Sequence, residues 1–306
     1  MSRTTFKWGV PVPDDEDHIM YVWLDALTNY ATGVGYPDCD SKMFQKFWPA
    51  DLHMVGKDIV RFHAVYWPAF LMAAGVQPPK RVYAHGWWTN EGEKISKSLG
   101  NVIDPLQLVE TYGLDPVRYF LLREVPFGND GDFSHAAMTH RMNGDLANDL
   151  GNLCQRVLSM VNKNCHAQVP DHGDFDAADE ALLEKAKGLL EPLRASMDEQ
   201  AFHTALGTIW AVIGEANRYV DAQAPWALRK TDPARMATVL YTLAETIRRV
   251  ALLVQPFMPD ACAKILEQLS VTEIARGFDS LDNVLTPGQG LPKPAPVFPR
   301  FVADED

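Results

Sequence analysis

The stretch Glu-Lys-Ile-Ser-Lys-Ser-Leu-Gly-Asn occupies residues 93–101 and places two lysines and two serines in one short segment. Gly92 precedes the two lysines and Gly100 follows them, and glycine permits a tight backbone turn. Aromatic and β-branched residues at 81–88 predict a strand ahead of this segment. Behind it, Asp104 followed by Pro105 predicts the N-cap and the first residue of a helix. The sequence therefore predicts a basic loop between a strand and a helix, with groups suited to binding a phosphate.

Composition indicates an ordinary globular protein. The 306 residues, 47% hydrophobic and 22% charged, are enough for two domains. No apolar run reaches about 18 residues, and the N-terminus lacks the apolar segment of a secretory signal, so we expect no membrane span. The four cysteines form no CxxC pair and have no zinc-ligand spacing, which predicts free thiols, a cytoplasmic location and no zinc site. A net charge of −12 excludes bulk non-specific nucleic-acid binding, so any RNA must bind through a local patch.

Short apolar runs in the first part of the chain alternate with helical patterns. Residues 18–24 predict a buried strand that leads into a helix at Asp25. Residues 51–58 predict a second strand ending in glycine, and a long helix follows over 59–74. Strands that alternate with helices indicate an α/β domain with a parallel sheet.

The pattern changes after residue 134. Apolar residues then recur every three or four positions, which predicts an all-α helical bundle. One such stripe consists of Met142, Leu146, Leu150, Leu153, Val157 and Val161. The last residues are rich in proline and predict an extended tail. The predicted domains are 1–134, 135–285 and 286–306.

Five separated motifs occur along the chain. They are Ser-Arg-Thr at 2–4 with Trp-Gly-Val-Pro-Val-Pro at 8–13, Val-Trp-Leu-Asp-Ala at 22–26, Val-Gly-Lys-Asp-Ile at 55–59 with Phe-His at 62–63, Lys-Ile-Ser-Lys-Ser at 94–98, and Ala-Pro-Trp at 224–226. Together, and in this order, they resemble the C-terminal part of bacterial methionyl-tRNA synthetases, which are class I aminoacyl-tRNA synthetases. The fourth motif resembles the family's KMSKS signature. The resemblance covers nearly the whole chain.

The resemblance implies a fold and a missing partner. Residues 1–134 are expected to form the second half of a Rossmann-type catalytic domain, followed by an anticodon-binding helical bundle. The family's HIGH motif, the first half of the nucleotide-binding fold and the zinc-bearing inserted domain have no counterpart in this sequence. We therefore expect the chain to be part of a longer enzyme and to need the N-terminal half of that enzyme as its partner.

A candidate methionine pocket begins on the helix after the first predicted strand. Trp23, Tyr30 and either Ala26 or Leu27 share one helical face, which by itself fits either a core stripe or a pocket for a thioether. The resemblance implies that methionine binds to Trp23, Ala26, Tyr30, Ile59 and His63. A neutral His63 is expected to donate a weak hydrogen bond to the sulfur.

Candidate ATP ligands follow two strands. Because ligands bind at the carboxyl ends of strands in open α/β sheets, a Gly-Lys-Asp motif at such an end suits a nucleotide. The resemblance implies that Gly56 admits the nucleotide and that Asp58 accepts hydrogen bonds from the ribose, although Asp58 also fits a helix N-cap. It further implies that Lys94, Ser96 and Lys97 bind ATP and that the two lysines are catalytic, Lys97 more than Lys94. Mg²⁺ is expected to accompany ATP.

Three candidate tRNA ligands lie in the bundle. Asn152 and Arg156 are four residues apart at the rim of the apolar stripe, and Trp226 is predicted in a loop between helices. Such side chains read or stack on the exposed bases of single-stranded RNA loops. The resemblance implies that they read the CAU anticodon of tRNA(Met). The alternative for each is an ordinary polar helix surface or a loop tryptophan that covers the core.

These features favour a methionine–tRNA ligase that activates methionine with ATP and transfers it to tRNA(Met). The alternative is a non-catalytic module that binds the tRNA anticodon and is inactive alone because the HIGH motif is missing. A class I ligase for another amino acid fits the aromatic pocket and the Ala-Pro-Trp motif less well.

Overall fold

The computed structural model describes residues 2–96 and 98–302 and divides into two compact units. The first unit comprises Met1–Trp87 with Gly128–Asp130, and the second comprises Trp88–Phe127 with Gly131–Asp306. The predicted boundary between residues 134 and 135 separates functional domains and stays a prediction.

The first unit alternates strands with helices. Its strands are β1 (Ser2–Arg3), β2 (Pro11–Val12), β3 (Asp15–Met20), β4 (His53–Gly56) and β5 (Val82–His85), and its α-helices are α1 (Val22–Thr32), α2 (Lys42–Phe47) and α3 (Trp67–Ala73). Between β4 and α3 the chain forms a 3₁₀ turn, Lys57–Ile59, and a π-helical turn, Phe62–Tyr66. The helix predicted over 59–74 is therefore a succession of different helical turns.

Two small sheets organise the first unit. Strand β3 lies between β1 and β2, and both pairings are antiparallel. Strands β4 and β5 are parallel, and helical segments connect them as parallel pairing requires. The predicted parallel pairing is confirmed. The strand predicted over 18–24 ends earlier, at Met20, and α1 begins at Val22 after the extended Tyr21.

The core of the first unit is small and largely aromatic. Helices α1, α2 and α3 and the segment before β5 contribute to this core. Its buried members are Leu27, Ala31, Phe44, Trp48, Trp67, Leu71 and Val76.

The second unit begins with a three-stranded sheet and two helices. Its strands are β6 (Trp88–Asn90), β7 (Glu93–Lys94) and β8 (Gly131–Phe133), in the order β7-β6-β8, and α4 (Pro105–Tyr112) and α5 (Leu114–Arg123) precede β8. Strand β6 is antiparallel to β7 and parallel to β8. The side chain of Asp104 accepts a hydrogen bond from the backbone N–H of Leu106 at 2.9 Å. This bond confirms the predicted start of α4.

Residues 135–285 of the second unit are mainly helical, as predicted. The helices are α6 (His135–Arg141), α7 (Asn152–Asn164), α8 (Ala177–Lys187), α9 (Leu190–Asp198), α10 (Phe202–Gln223), α11 (Pro225–Thr231), α12 (Pro233–Val254) and α13 (Pro259–Gln268). A π-helical stretch, Met142–Gly151, joins α6 to α7.

Helix α12 occupies the centre of this bundle. Every residue from Thr238 to Val254 is buried, including several polar and charged ones. The apolar stripe predicted on the Met142–Val161 segment is also buried throughout. Burial of apolar area on this scale is the main term that stabilises a helical bundle.

The described part of the tail, residues 286–302, is extended and lies against the bundle. The backbone N–H of Leu291 donates to the carbonyl oxygen of Ala167 at 2.7 Å. Farther on, the side chain of Asn143 exchanges two hydrogen bonds with the backbone of Phe301, at 3.0 and 2.8 Å. These and further hydrogen bonds to the bundle hold the tail along its length.

Candidate functional site

Tyr30 and His63 form a hydrogen-bonded pair in the first unit. The Tyr30 hydroxyl lies 2.9 Å from Nε2 of His63, and Nδ1 of His63 lies 3.0 Å from the carbonyl oxygen of Ile59. A carbonyl oxygen only accepts, so Nδ1 carries a proton; when the ring is neutral, Nε2 accepts from the Tyr30 hydroxyl. The structure thus brings together three residues of the predicted methionine pocket. Both ring nitrogens of His63 thus have partners within the chain, and the expected hydrogen bond to the sulfur stays a prediction.

Trp23 contacts His63 and also Phe62, a residue that was not predicted for this site. Its indole stacks on the ring of Phe62, with 4.1 Å between centroids and 6° between planes, and it meets His63 edge-on at 6.0 Å. Ala26 lies on the same helix between Trp23 and Tyr30 and is exposed. The π-helical turn places Phe62 and His63 side by side against α1.

His53 packs against Tyr30 of the Tyr30–His63 pair, and it was not predicted for this site either. Its ring lies 4.4 Å from that of Tyr30, between centroids, and its Nε2 accepts a hydrogen bond from Nε1–H of Trp67 at 3.2 Å. An indole N–H only donates, so His53 is neutral with its proton on Nδ1. Burial, and then the nearby His63, lower the pKa of His53.

The depressed pKa of His53 predicts a pH-dependent stability of the first unit. The unfolded chain binds a proton on His53 near pH 6.5, whereas the folded chain binds it only at lower pH. The free energy of unfolding should therefore fall as the pH drops below about 6.5, by at most about 1.4 kcal/mol per pH unit. Urea unfolding at several pH values, monitored through the amide signals of β4, measures this slope.

The matched control for this prediction is His53→Gln. Glutamine does not titrate, and its amide oxygen still accepts from Trp67. The variant should lose the part of the acid destabilisation that His53 causes. An identical slope in the variant and the parent chain would show that His53 is not responsible.

The Gly-Lys-Asp motif lies where β4 ends. A Cβ on Gly56 would lie 2.5 Å from Oδ1 of Asp58, so only glycine leaves this carboxylate in its position. Nε1–H of Trp87 donates to the same oxygen at 3.4 Å. The predicted residues Gly56 and Asp58 are therefore adjacent, and Trp87 is an additional neighbour.

A charged pair stands beside Asp58. Nζ of Lys57 lies 2.6 Å from Oδ2 of Asp130 and 4.3 Å from the centroid of the Trp87 ring. Asp130 also accepts from the backbone N–H of Trp87 at 2.9 Å. The hydrogen bond from Lys57 is the main cause that lowers the pKa of Asp130. Lys57 thus contacts the ring of Trp87, and Asp130 binds its backbone N–H.

The predicted phosphate loop lies in the second unit and begins at β7. Asn101 closes it, since its Oδ1 accepts from the backbone N–H of Ser96 at 2.9 Å and its Nδ2 donates to the carbonyl oxygen of Lys94 at 3.1 Å. The hydroxyls of Ser96 and Ser98 are 2.7 Å apart. Lys94 is exposed to solvent. The predicted residue Lys97 lies outside the described residues.

Arg156 and Trp226 meet on the bundle. The guanidinium of Arg156 lies 5.5 Å from the Trp226 ring centroid, and its Nη2 lies 2.7 Å from Oδ1 of Asp221 on α10. Trp226 is 48% exposed. Asn152 is exposed one turn before Arg156 on α7. The structure thus places two of the three predicted tRNA ligands in contact, with Asp221 as a partner that was not predicted.

The predicted loop position of Trp226 is wrong. Trp226 lies in the first turn of α11, which starts at Pro225. Ala224 adopts a left-handed conformation, with φ of 43°, and separates α10 from α11. Proline at a first helical position is the sequence signal that could have revealed this helix.

Within residues 2–96 and 98–302, no group of three or more histidine, cysteine, aspartate or glutamate side chains is arranged to hold a metal ion. Within the same ranges, no helix has the length and apolar character of a membrane span.

Comparison with known proteins gives consistent matches along the chain. A family model described as tRNA synthetases class I (M) matches residues 1–158, and one described as the anticodon binding domain of methionyl tRNA ligase matches residues 169–306. The methionine–tRNA ligase of Brucella suis is 61% identical over 307 aligned residues, which cover 100% of this chain and 59% of the relative. That of Mycobacterium leprae is 56% identical and is covered to 58%.

A solved structure agrees with these matches. Methionyl-tRNA synthetase of Mycobacterium tuberculosis, solved in complex with methionyl-adenylate, matches with a TM-score of 0.91 and 57% identity over 98% of this chain and 60% of that one. The chain thus spans about three fifths of the length of the relatives it matches. The resemblance seen in the sequence motifs is confirmed. The chain belongs to the class I (M) family of tRNA synthetases.

Proposed function

We propose that this chain is part of a methionine–tRNA ligase, which forms methionyl-adenylate from methionine and ATP and transfers the methionyl group to tRNA(Met). The observation that carries the proposal is the close likeness to a synthetase solved with methionyl-adenylate, over almost all of this chain. The clusters around Tyr30, Asp58 and Trp226 supply chemistry that suits methionine, ATP and tRNA in turn.

The methionine side chain would lie among the rings of Trp23, Tyr30 and His63. Each contact between a sulfur and an aromatic ring contributes about 0.3–1.5 kcal/mol. Because His63 and Tyr30 are hydrogen-bonded to each other, their polar atoms are satisfied without a ligand, and the pocket favours an uncharged thioether. Ala26 and Ile59 would complete its wall.

The ribose of ATP would bind at the end of β4. Asp58 would accept hydrogen bonds from the ribose, close to the bare Cα of Gly56. In adenylate formation a methionine carboxylate oxygen attacks the α-phosphorus, and the bond to pyrophosphate breaks. Lys94, Ser96 and Lys97 would stabilise the negative charge on the triphosphate, and Mg²⁺ would bind with ATP.

The anticodon of tRNA(Met) would bind at Asn152, Arg156 and Trp226. An exposed indole offers a face on which an unpaired base stacks. The ion pair with Asp221 fixes the guanidinium of Arg156 beside that indole, where its remaining N–H groups are available to base edges. Asn152 adds an amide one turn away on α7.

Trp226→Ala should weaken binding of an RNA hairpin that carries the CAU anticodon. Loss of one stacked base costs about 1–3 kcal/mol, which is about 5- to 150-fold in the dissociation constant. Fluorescence anisotropy of a labelled hairpin with the 306-residue chain measures it. Trp226→Phe keeps an aromatic face and should retain most of the affinity. Equal binding by the parent chain and the alanine variant would contradict the assignment.

A non-catalytic tRNA-binding module is the second candidate. It is favoured by the match of residues 169–306 to an anticodon binding domain and by the exposed Trp226 beside Arg156, which need no catalytic step to bind RNA. The two functions differ in one measurable property. Only the ligase predicts that Lys94 and Lys97 affect adenylate formation.

A further inference from the structure

Arg235 connects three helices of the bundle near Trp226. It lies in the first turn of α12, and its guanidinium donates to both carboxylate oxygens of Asp179 in α8. Its Nη2 also lies 2.8 Å from Oδ2 of Asp176 and donates to Oε1 of Gln223 at 2.9 Å. One guanidinium therefore joins the start of α8, the end of α10 and the start of α12.

The position of this guanidinium is fixed. The side chain of Asp179 is fully buried and that of Arg235 is 19% exposed. Tyr219 donates a further hydrogen bond to Asp179. Burial disfavours the charged form of Asp179, but the hydrogen bonds from Arg235 and Tyr219 outweigh it and lower the pKa of this carboxyl group. A paired, bidentate arginine of this kind has little freedom to move.

Gln223 links the fixed guanidinium of Arg235 to the segment that carries Trp226. It is the last residue of α10 and precedes the left-handed Ala224, which sets the direction in which α11 leaves. At the other end of α11, Asp232 accepts from the backbone N–H of Arg235 at 2.9 Å. The seven-residue helix that carries Trp226 is thus anchored at both ends to Arg235.

We propose that the hydrogen bond between Arg235 and Gln223 positions Trp226 for base stacking, so that both are positioning residues for anticodon recognition. This inference rests on the proposed function. It extends that function to a specificity determinant that does not itself touch RNA. Without the bond, the end of α10 and the indole three residues later sample other orientations.

Gln223→Leu tests the bond without disturbing the buried ion pair. Leucine is close to glutamine in size and cannot accept from Arg235, whereas Gln223→Glu keeps an acceptor. The leucine variant should bind the CAU hairpin about three- to tenfold more weakly, and the glutamate variant should bind within about twofold of the parent chain. Gln223→Ala should reproduce the loss and covers the case in which leucine distorts the helix end.

A double-mutant cycle with Trp226→Ala separates positioning from a general structural role. If Gln223 acts through Trp226, Gln223→Leu causes no further loss of affinity once Trp226 is alanine. Unchanged binding by Gln223→Leu and Gln223→Ala, or a full additional loss in the Trp226→Ala background, would overturn the inference. A CAU preference that is lost with Trp226→Ala shows in the same experiment that the proposed function itself stands.

Discussion

Replacement of both Lys94 and Lys97 by alanine is expected to slow methionyl-adenylate formation by about 10²- to 10³-fold. The reaction requires little covalent chemistry from the protein, so positioning and charge stabilisation account for most of the acceleration. Lys94 is exposed at the end of β7, and among the described residues no carboxylate lies within ion-pair distance of its ammonium group. It is therefore available to a triphosphate. Methionine-dependent ATP–pyrophosphate exchange measures the effect.

This experiment needs the complete enzyme and two comparisons. The chain is joined to the part of the Brucella suis relative that it does not cover, and the 306-residue chain alone, which we expect to be inactive, serves as the blank. Lys163→Ala, on an exposed position of α7, is the matched control for the loss of a lysine. An unchanged exchange rate in the double lysine variant would contradict the role assigned to the loop.

Glu245→Ala should lower the free energy of unfolding of the bundle by about 3–5 kcal/mol. The Glu245 side chain is 3% exposed and accepts hydrogen bonds from Arg248 at 2.8 and 2.6 Å, and from Arg249 at 3.1 Å. It also accepts from the backbone N–H of Leu285 at 3.2 Å. Its removal leaves two buried guanidinium groups without their counterion and one buried N–H without its acceptor. Urea unfolding followed by far-UV circular dichroism measures the change.

Glu184→Ala is the matched control for this prediction. Glu184 forms an ion pair with Lys187 at 3.6 Å, and both side chains are largely exposed. Exposed pairs contribute about 0–1 kcal/mol, so this variant should unfold almost as the parent chain does. Similar losses in the two variants would mean that the buried cluster on α12 does not stabilise the bundle as we infer.

Features with a local signal could be predicted from the sequence. The start of α4 needs only Asp104 and Pro105, and the helices of the bundle follow from apolar periodicity. The placement of Asn152 and Arg156 at the rim of that periodic face follows from their spacing alone. In each case the determining residues lie within one or two helical turns of each other.

Features that depend on contacts between distant segments could not be predicted. Trp67 fixes the tautomer of His53 across 14 residues, and Asp130 reaches Lys57 across 73. No periodicity or spacing indicates such partners. The helical position of Trp226 differs, because Pro225 was a local signal for it and the indole was still expected in a loop.

The affinity of the 306-residue chain for RNA hairpins that differ only in the anticodon tests the central claim most directly. The salt concentration is the same for every hairpin, because contacts with phosphates make the affinity depend on salt whatever the bases are. We predict that the CAU hairpin binds at least about fivefold more tightly than hairpins with one of these three bases changed, a difference of about 1 kcal/mol. Equal affinity for CAU and for the altered triplets would contradict the account.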